Sequence, residues 1–400
     1  MTPCQTTQES PPDNAELSAP ATAAQQAPAG ENPPQDAPPT PGGMGRSQIV
    51  LAVLALLLTL LTAGGALDYY RFLQQGSAQT VTLEIERGWP LAQIAQKLEQ
   101  SQVVRSAHWF ALLTRWQRLQ WSGNGLQVTS GIQAGEYAFP SGETPVQVLN
   151  RLTSGNRVVH RLIIPEGLTV QEILARMQAQ GWPNSHLPLH DPDWLKKLGL
   201  TSPSLEGWLY PSTYHYHRHD SAAEMVARMV KQSQQILDEL WQAAQLAGET
   251  RLQRAMPLSP TETLVLASII EKETGQASER PRVSAVFHNR LRKKMRLQSD
   301  PTVIYGLHKS VGGPGFEGNL TRQHLREPTP FNTYTQYGLP PTPICNPGKA
   351  SIRAALFPEE SDDLYFVARG EGFHVFAKTL PEHEANVDRY QRHLPPPKKR

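Results

Sequence analysis

An uninterrupted apolar run near the N-terminus constrains this chain of 400 residues more than any other feature. From Ile49 to Leu67 the sequence reads IVLAVLALLLTLLTAGGAL, without a single charge. As a helix this run is about 28 Å long, close to the hydrocarbon thickness of a bilayer. A buried soluble helix is rarely apolar on every face at this length, and a cleaved signal peptide does not normally follow a tail of 47 residues. We therefore predict one membrane-spanning helix at residues 48–68, acting as an uncleaved signal anchor.

The segment before this run, residues 1–47, is rich in Pro, Ala, Gln and Ser and almost lacks large apolar side chains. Such a segment buries too little surface to offset its ordering entropy, so we predict a disordered tail. Arg46 precedes the span and Arg71 follows it, so the positive-inside rule gives only a weak indication of the orientation of the helix. We expect the tail in the cytoplasm and the rest of the chain outside the cytoplasmic (inner) membrane, in the periplasm.

Charge and cysteine content exclude several classes of protein. The 38 basic side chains nearly balance the 36 acidic ones, so no nucleic-acid partner is indicated. Cys4 and Cys345 lie at opposite ends of the chain and predict neither a disulfide framework nor a metal site. No H-E-x-x-H, G-x-S-x-G or phosphate-loop motif occurs, and we expect no cofactor.

Residues 80–200 contain a pattern that occurs three times: a glycine followed by apolar residues at helical spacing. The segments are GWPLAQIAQKL from Gly88, GETPVQVLNRL from Gly142 and GLTVQEILARM from Gly167. Spacings of three and four residues place the apolar positions on one helical face. Alternating runs at Val81–Ile85 and His160–Ile164 predict strands before two of these helices. The pattern predicts small modules built from a strand, a glycine turn and a short helix.

Residues 201–394 have the composition of one compact α+β domain. Helical periodicity predicts helices at 222–247, 261–274 and 281–291, and β-rich runs predict strands at Thr302–Tyr305 and Leu364–Ala368. Between those two runs, Pro328 to Gly348 is too rich in Pro and Gly for either element.

One helix of this domain carries a carboxyl toward the buried side. In SPTETLVLASIIEKETG, Ser259 and Glu262 form a capping box, and Gly275 is a natural stop. On a helical wheel, Glu273 falls at the centre of the apolar stripe, whereas Glu271 points about 160° away. Burial and the helix dipole both raise the pKa of Glu273, as a general acid requires. A structural alternative is an ion pair between Glu273 and Arg280 or Arg290.

The segment ASIIEKETGQASERPRVSAVFHNRLRKKMRLQSDPTVIYG, from Ala267, closely resembles the core of the endolytic murein transglycosylases, the YceG-like family. So do SLEGWLYPSTY from Ser204, FNTYTQYGLPPTPICNPG from Phe331 and LYFVARGEGFHVFAKTLPEH from Leu364. With the anchor and the repeated units, which resemble LysM-like modules, the similarity covers nearly all of the chain after residue 47. The resemblance implies LysM-like modules at 80–200 and a YceG-like catalytic domain at 201–394.

The resemblance also implies an activity. The second Glu of the family's EKET sequence is its catalytic residue and corresponds to Glu273. Family members cleave the bond between N-acetylmuramic acid and N-acetylglucosamine and leave a 1,6-anhydro end, which implies a lyase that terminates elongation of nascent strands. Expected partners are therefore peptidoglycan glycan strands, the membrane and peptidoglycan synthases. LysM modules bind glycans containing N-acetylglucosamine, so the repeated units are either glycan-binding or plain spacers.

Further residues in the similar segments are expected to bind substrate: Glu206, Gln298, Asp300, Asn332 and Tyr334. Their amides, hydroxyls and carboxyls suit sugar hydroxyl and N-acetyl groups. Asp300 could instead cap a helix or form a turn, and Glu206 could act behind the groove as a hydrogen-bond partner.

Alternating histidines in YHYHRH (His215, His217 and His219) would share a face of a strand, but no ligand set of recognised spacing accompanies them, and we expect no metal. Two other functions stay open. One is a peptidoglycan hydrolase in which Glu206 or Asp300 supplies a second carboxyl. The other is a non-catalytic, membrane-anchored scaffold that binds glycan.

Overall fold

A computed structural model describes residues 45–122, 125–128, 131–182, 187–247, 256–311 and 318–392. Residues 1–44 of the predicted tail lie outside the described residues. Helices and short strands are mixed along the chain, as an α+β class requires. The chain divides into two compact units, residues 1–67 and residues 68–400.

The described part of the first unit is almost entirely helical. Helix α1 spans Arg46–Gln74 and continues into the second unit. Its apolar side chains from Ile49 to Leu67 are exposed, with Leu61 at 74%. Among the described residues it is the one helix long and apolar enough to cross a membrane. The predicted span, 48–68, lies within this continuous helix.

The second unit contains the other helices and all strands of the described residues. Its helices are α2 (Leu91–Gln100), α3 (Ala107–Arg118), α4 (Pro145–Ser154), α5 (Val170–Ala179), α6 (Pro192–Lys197), α7 (Ala222–Leu246), α8 (Pro260–Glu273), α9 (Arg280–Arg292), α10 (Asp300–Val311), α11 (Lys349–Leu356) and α12 (Leu380–Val387). Short helical turns occur at His324–Arg326 and Asp388–Arg392.

The strands of the described residues form four antiparallel pairs. In chain order they are β1 (Val81–Ile85), β2 (Leu119–Ser122), β3 (Gly125–Val128), β4 (Gly135–Phe139), β5 (His160–Ile163), β6 (Thr213–Tyr216), β7 (Tyr365–Gly370) and β8 (Phe373–Ala377). The pairs are β1–β4, β2–β3, β5–β6 and β7–β8, with Leu83 opposite Tyr137 in the first and Leu162 opposite Tyr214 in the third.

The repeated pattern produces the same local geometry three times. Gly88, Gly142 and Gly167 have φ of +86°, +84° and +79°, so each makes a left-handed turn that side chains disfavour. Helices α2, α4 and α5 begin three residues after these glycines and bury the predicted apolar faces. The predicted strand, glycine turn and helix are confirmed.

Two hydrophobic cores organise the second unit. The N-terminal core runs from Phe72 to Leu152 and joins the end of α1 to β1, β4 and α2–α4. The C-terminal core runs from Leu162 to Leu356 and includes the third repeated helix, α5. The region 80–200 thus contributes to both cores.

Helix α8 lies at the centre of the C-terminal core, with every residue from Thr263 to Ile270 buried. Its predicted capping box is present, because the Ser259 hydroxyl accepts from the amide of Glu262 and the Glu262 carboxylate accepts from that of Ser259. The helix packs against α9, α10 and α11. This packing fixes the position of its last residue, Glu273.

The strand predicted at Thr302–Tyr305 is wrong, because these residues lie in helix α10. Pro301 stands at the start of that helix, where its fixed φ is compatible with the first turn. Thr302 and Val303 are buried, so packing outweighs their β-branched preference. The predicted helices at 222–247, 261–274 and 281–291 and the predicted strand at Leu364–Ala368 correspond to α7, α8, α9 and β7 within one to two residues.

Candidate active site

Glu273 is the last residue of α8, and its side chain is half-buried. After it the backbone becomes extended at Thr274, whose amide still donates to the carbonyl of Ile270 at 3.3 Å. The carboxyl therefore projects from a rigid helix end rather than from a loop, which holds it in a defined place.

Glu273 accepts one short hydrogen bond. The hydroxyl of Ser299, which directly precedes α10, donates to Oε1 of Glu273 at 2.5 Å. Burial raises the pKa of Glu273 to about 7, and the charge of Asp300 raises it too, whereas the Ser299 hydroxyl and the Arg290 guanidinium lower it. A carboxyl with this pKa carries a proton in a large fraction of molecules at neutral pH and can act as acid and as base.

The ion-pair alternative for Glu273 is not present among the described residues. Arg280 pairs instead with Glu271, with N···O of 3.0 Å. Arg290 is buried and donates to the carbonyl oxygens of Leu364 at 2.7 Å and Leu297 at 2.8 Å. The positive charge of Arg290 acts on Glu273 without a direct contact, so the carboxyl keeps its raised pKa.

The segment that carries Ser299 is held against the FNTY loop. The amide of Gln298 donates to the carbonyl of Thr333 at 3.1 Å, and the amide of Ser299 donates to the Thr333 hydroxyl at 2.9 Å. Gln298 has φ of +51°, a left-handed conformation that is uncommon for residues other than glycine. This turn leaves the Gln298 side chain exposed and directs Ser299 to Glu273.

Asp300 and Tyr334 form a hydrogen-bonded pair beside Glu273. The Tyr334 hydroxyl donates to Oδ1 of Asp300 at 2.6 Å. Burial, the bonded Asp300 and the charges of Asp300 and Glu273 all raise the pKa of Tyr334. The predicted residues Gln298, Asp300 and Tyr334 are thus brought together around Glu273.

Asn332 and Glu206 lie in the interior. Asn332 is fully buried, and its amide donates to the carbonyls of His324, Leu325 and Glu327. Glu206 is 4% exposed and accepts from the amide of Val170 at 3.0 Å and the Tyr305 hydroxyl at 3.0 Å. Both side chains support segments of the fold.

The contact of Ser299 with Glu273 was not predicted from the sequence. Its only local signal is its place between Gln298 and Asp300, directly before a helix. A serine there predicts a helix cap rather than a partner for a carboxyl 26 residues away along the chain.

The three histidines do not share one strand face. His215 lies in β6, whereas His217 and His219 follow it. His217 contacts the carbonyl of Val158, and His219 lies 3.6 Å from the carboxylate of Glu84. In the part of the chain that the structure describes, no group of three or more His, Cys, Asp or Glu side chains is arranged to hold a metal.

Comparison with known proteins decides the family. The family model described as the YceG-like family matches residues 83–389. The chain belongs to the YceG-like family. A relative from Bacillus subtilis named endolytic murein transglycosylase is 30% identical over 355 residues, which cover 82% of this chain and 91% of the relative.

More distant relatives carry the same name. A Streptococcus pneumoniae relative is 24% identical over 83% of this chain, and the match spans 63% of that longer protein. A crystal structure of a YceG-like protein from Listeria monocytogenes is 30% identical, with coverage of 78% of this chain and all of that chain and a TM-score of 0.48.

Proposed function

We propose that this YceG-like chain is an endolytic murein transglycosylase, a lyase that cuts peptidoglycan glycan strands with Glu273 as its single acid and base. The observation that carries the proposal is the half-buried carboxyl of Glu273, with a pKa raised to about 7 and one short bond to Ser299. Relatives of this chain are named for the same activity.

The reaction needs one proton donor that later becomes a base. Protonated Glu273 gives its proton to the oxygen between N-acetylmuramic acid and N-acetylglucosamine, and the bond from that oxygen to C1 of the muramoyl unit breaks. The resulting carboxylate takes the proton of the muramoyl 6-hydroxyl as that oxygen bonds to C1. The products are a 1,6-anhydro end and a free hydroxyl, with no water consumed.

Ser299 determines which carboxyl oxygen carries the proton. Its hydroxyl donates to Oε1, so the proton of the acid resides on Oε2. Oε2 is then the oxygen that faces the substrate. A fixed donor of this kind removes the need to reorient the acid during the reaction.

The other predicted residues divide into two roles. The exposed side chains of Gln298 and Asp300 and the half-buried Tyr334 bind sugar hydroxyl or N-acetyl groups. The buried side chains of Asn332 and Glu206 act behind them by holding the FNTY loop and the segments around Tyr305.

The proposed topology follows from α1. Residues 48–68 cross the cytoplasmic membrane, residues 1–47 stay in the cytoplasm, and the catalytic domain at 201–394 works outside. The modules at 80–200 are LysM-like and contact glycan, and the enzyme acts on nascent strands together with peptidoglycan synthases. The long apolar helix and the repeated units support this arrangement.

The experiment is digestion of uncrosslinked glycan strands by the full-length chain in detergent, with products identified by mass spectrometry. Wild type should make internal cuts with 1,6-anhydro ends. Glu273→Gln should fold and bind strands but cut them about a thousandfold more slowly, since the single acid and base is lost. Glu262→Gln is the matched control, because glutamine also serves in a capping box.

Each other outcome has a distinct meaning. Products heavier by one water would make the protein a hydrolase, with Asp300 as the second carboxyl. Equal strand binding without cleavage by wild type would support the glycan-binding scaffold. Full activity of Glu273→Gln would remove Glu273 from the mechanism.

A further inference from the structure

Tyr337 is an exposed aromatic residue in the loop that carries the FNTY sequence. It is 65% exposed, whereas every other Phe, Trp and Tyr in the described part of residues 201–392 is buried or half-buried. A tyrosine has a flat apolar ring and a polar tip. Such a side chain at the surface suits a ligand that also presents an apolar face and polar edges.

The backbone on both sides of Tyr337 is fixed. The amides of Thr335 and Gln336 donate to the carbonyl of Asn332 at 3.0 Å and 2.9 Å, which closes a turn directly before Tyr337. Gly338 follows with φ of +82°, a left-handed conformation that side chains disfavour. The ring is therefore presented by a defined loop, and a ligand that binds it has little chain to order.

The segment 296–300 forms an exposed row beside Glu273. Its exposed residues are Arg296, Gln298 and Asp300, and the buried residues between them are Leu297 and Ser299. Ser299 donates to the Glu273 carboxyl from within this segment. Four residues of backbone span at most about 14 Å, so every side chain of the row starts close to the candidate acid.

The FNTY loop contacts both ends of this row. At one end the Arg296 guanidinium lies 4.7 Å from the centre of the Tyr337 ring, a distance at which the cation attracts the face of the ring. At the other end the Tyr334 hydroxyl donates to Asp300 at 2.6 Å. The Tyr337 ring therefore stands at one end of the exposed row and extends the surface that leads to Glu273.

We propose that Tyr337 is a stacking platform for a sugar ring of the glycan strand, at a subsite separate from the cleaved bond, with Arg296 as the residue that positions the ring. This inference rests on the proposed function. A pyranose has an apolar face of C–H groups and an edge of hydroxyl and N-acetyl groups. A sugar stacked on Tyr337 directs that edge to polar side chains such as Gln298.

The first test is kinetic and uses the full-length protein in detergent with uncrosslinked glycan strands. A sugar on Tyr337 does not react, so its contact contributes equally before and in the transition state. Tyr337→Ala should therefore raise KM about tenfold and leave kcat unchanged. Tyr337→Phe, which retains the ring, should restore most of the loss. Tyr70→Ala removes a tyrosine that is 59% exposed outside the catalytic domain and is the matched control.

Arg296 is tested by a double-mutant cycle on KM. Arg296→Ala should raise KM about threefold in the wild-type background and have no further effect in Tyr337→Ala, because it acts through the ring. Equal effects in both backgrounds would show that Arg296 does not position Tyr337.

The second test is calorimetric titration of short strand fragments without peptide stems into Glu273→Gln, which measures binding without cleavage. Adding Tyr337→Ala should raise Kd about tenfold, and adding Tyr337→Phe should change it much less. This pattern supports the platform even if wild type cuts no strands, in which case the proposed function alone fails. Cleavage by wild type, with KM and Kd unchanged by Tyr337→Ala or with only kcat lowered, overturns the platform and leaves the proposed function intact.

Discussion

At the scale of single residues, neighbours act on the Glu273 carboxyl in opposite directions. Burial and Asp300 favour the neutral form, whereas Ser299 and Arg290 favour the charged form. Because burial is the largest influence, the pKa settles at about 7 rather than below its ordinary value of 4.5. In the proposed reaction Glu273 must be protonated at the start, so kcat/KM of wild type should fall as the pH rises through about 7.

Replacement of Ser299 by alanine should move this alkaline limb to higher pH. The Ser299 hydroxyl lowers the pKa of Glu273, so its loss raises that pKa further, and kcat falls about tenfold because the acid is less well oriented. The measurement is kcat/KM from pH 5 to 9. Ser278→Ala, at an exposed serine five residues after Glu273, is the control. An alkaline limb that does not move in Ser299→Ala would show that the 2.5 Å contact has no influence on the acid.

Glu206 is a second carboxyl whose pKa burial raises to about 7. The folded protein therefore holds a proton that the unfolded chain releases near pH 4.5, and this contribution to stability is lost as the pH rises from 4.5 to about 7. In Glu206→Gln the amide oxygen still accepts from Val170 and the amide nitrogen can donate to Tyr305, so stability at pH 7.5 should be kept and its dependence on pH reduced.

Glu206→Ala is the opposing variant. It leaves the amides of Val170 and Asn346 without this acceptor, and we expect a loss of about 2–4 kcal/mol in the free energy of unfolding. Urea unfolding of the full chain in detergent at pH 5 and pH 7.5 measures both effects. Equal pH dependence in wild type and Glu206→Gln would contradict the raised pKa.

At the scale of elements, the repeated units depend on the glycine before each helix. No atom lies within 4 Å of a Cβ added at Gly88 or Gly142, so the left-handed backbone is the only obstacle to alanine there. Gly88→Ala and Gly142→Ala should each lower the free energy of unfolding by about 1–2 kcal/mol. Gly275→Ala has equal space without a left-handed φ and should be neutral or slightly stabilising. Urea unfolding distinguishes these outcomes, and neutral Gly88 and Gly142 variants would contradict the left-handed turns.

At the scale of the whole molecule, charged groups join strands of the N-terminal core to those of the C-terminal core. Glu84 and Glu136 stand opposite each other in the β1–β4 pair, an unfavourable arrangement for like charges. Arg218, which follows β6, lies 3.3 Å from Glu84 and 3.9 Å from Glu136, and His160 of β5 lies 2.5 Å from Glu136. These contacts relieve the repulsion and link the two cores.

Arg218→Ala should therefore lower the free energy of unfolding by about 0.5–1 kcal/mol, and less at high salt, because Arg218 and Glu84 are both exposed. The loss should be smaller in a Glu84→Gln background, where one of the two repelling charges is gone. A double-mutant cycle by urea unfolding measures this coupling. Additive effects of the two substitutions would show that the contact is not energetically coupled.

Features encoded over a few neighbouring residues could be predicted from the sequence. The apolar run from Ile49 predicted a continuous helix, the capping box at Ser259 predicted where α8 begins, and three glycines predicted turns before short helices. The wheel position of Glu273 predicted a carboxyl on the buried side. These predictions succeed because hydrogen bonding and side-chain direction within a helix follow from local spacing.

Tertiary structure alone decided which distant segments meet. It made Thr302–Tyr305 helical, paired Glu273 with Ser299 instead of an arginine, and placed Glu206 and Asn332 in the interior. By itself, then, the sequence determined the membrane-length helix, the repeated turns and the identity of the carboxyl at the end of α8. The packing of α8 against α9, α10 and α11 determined the neighbours that set the pKa of that carboxyl, because burial and charge act through space and not along the chain.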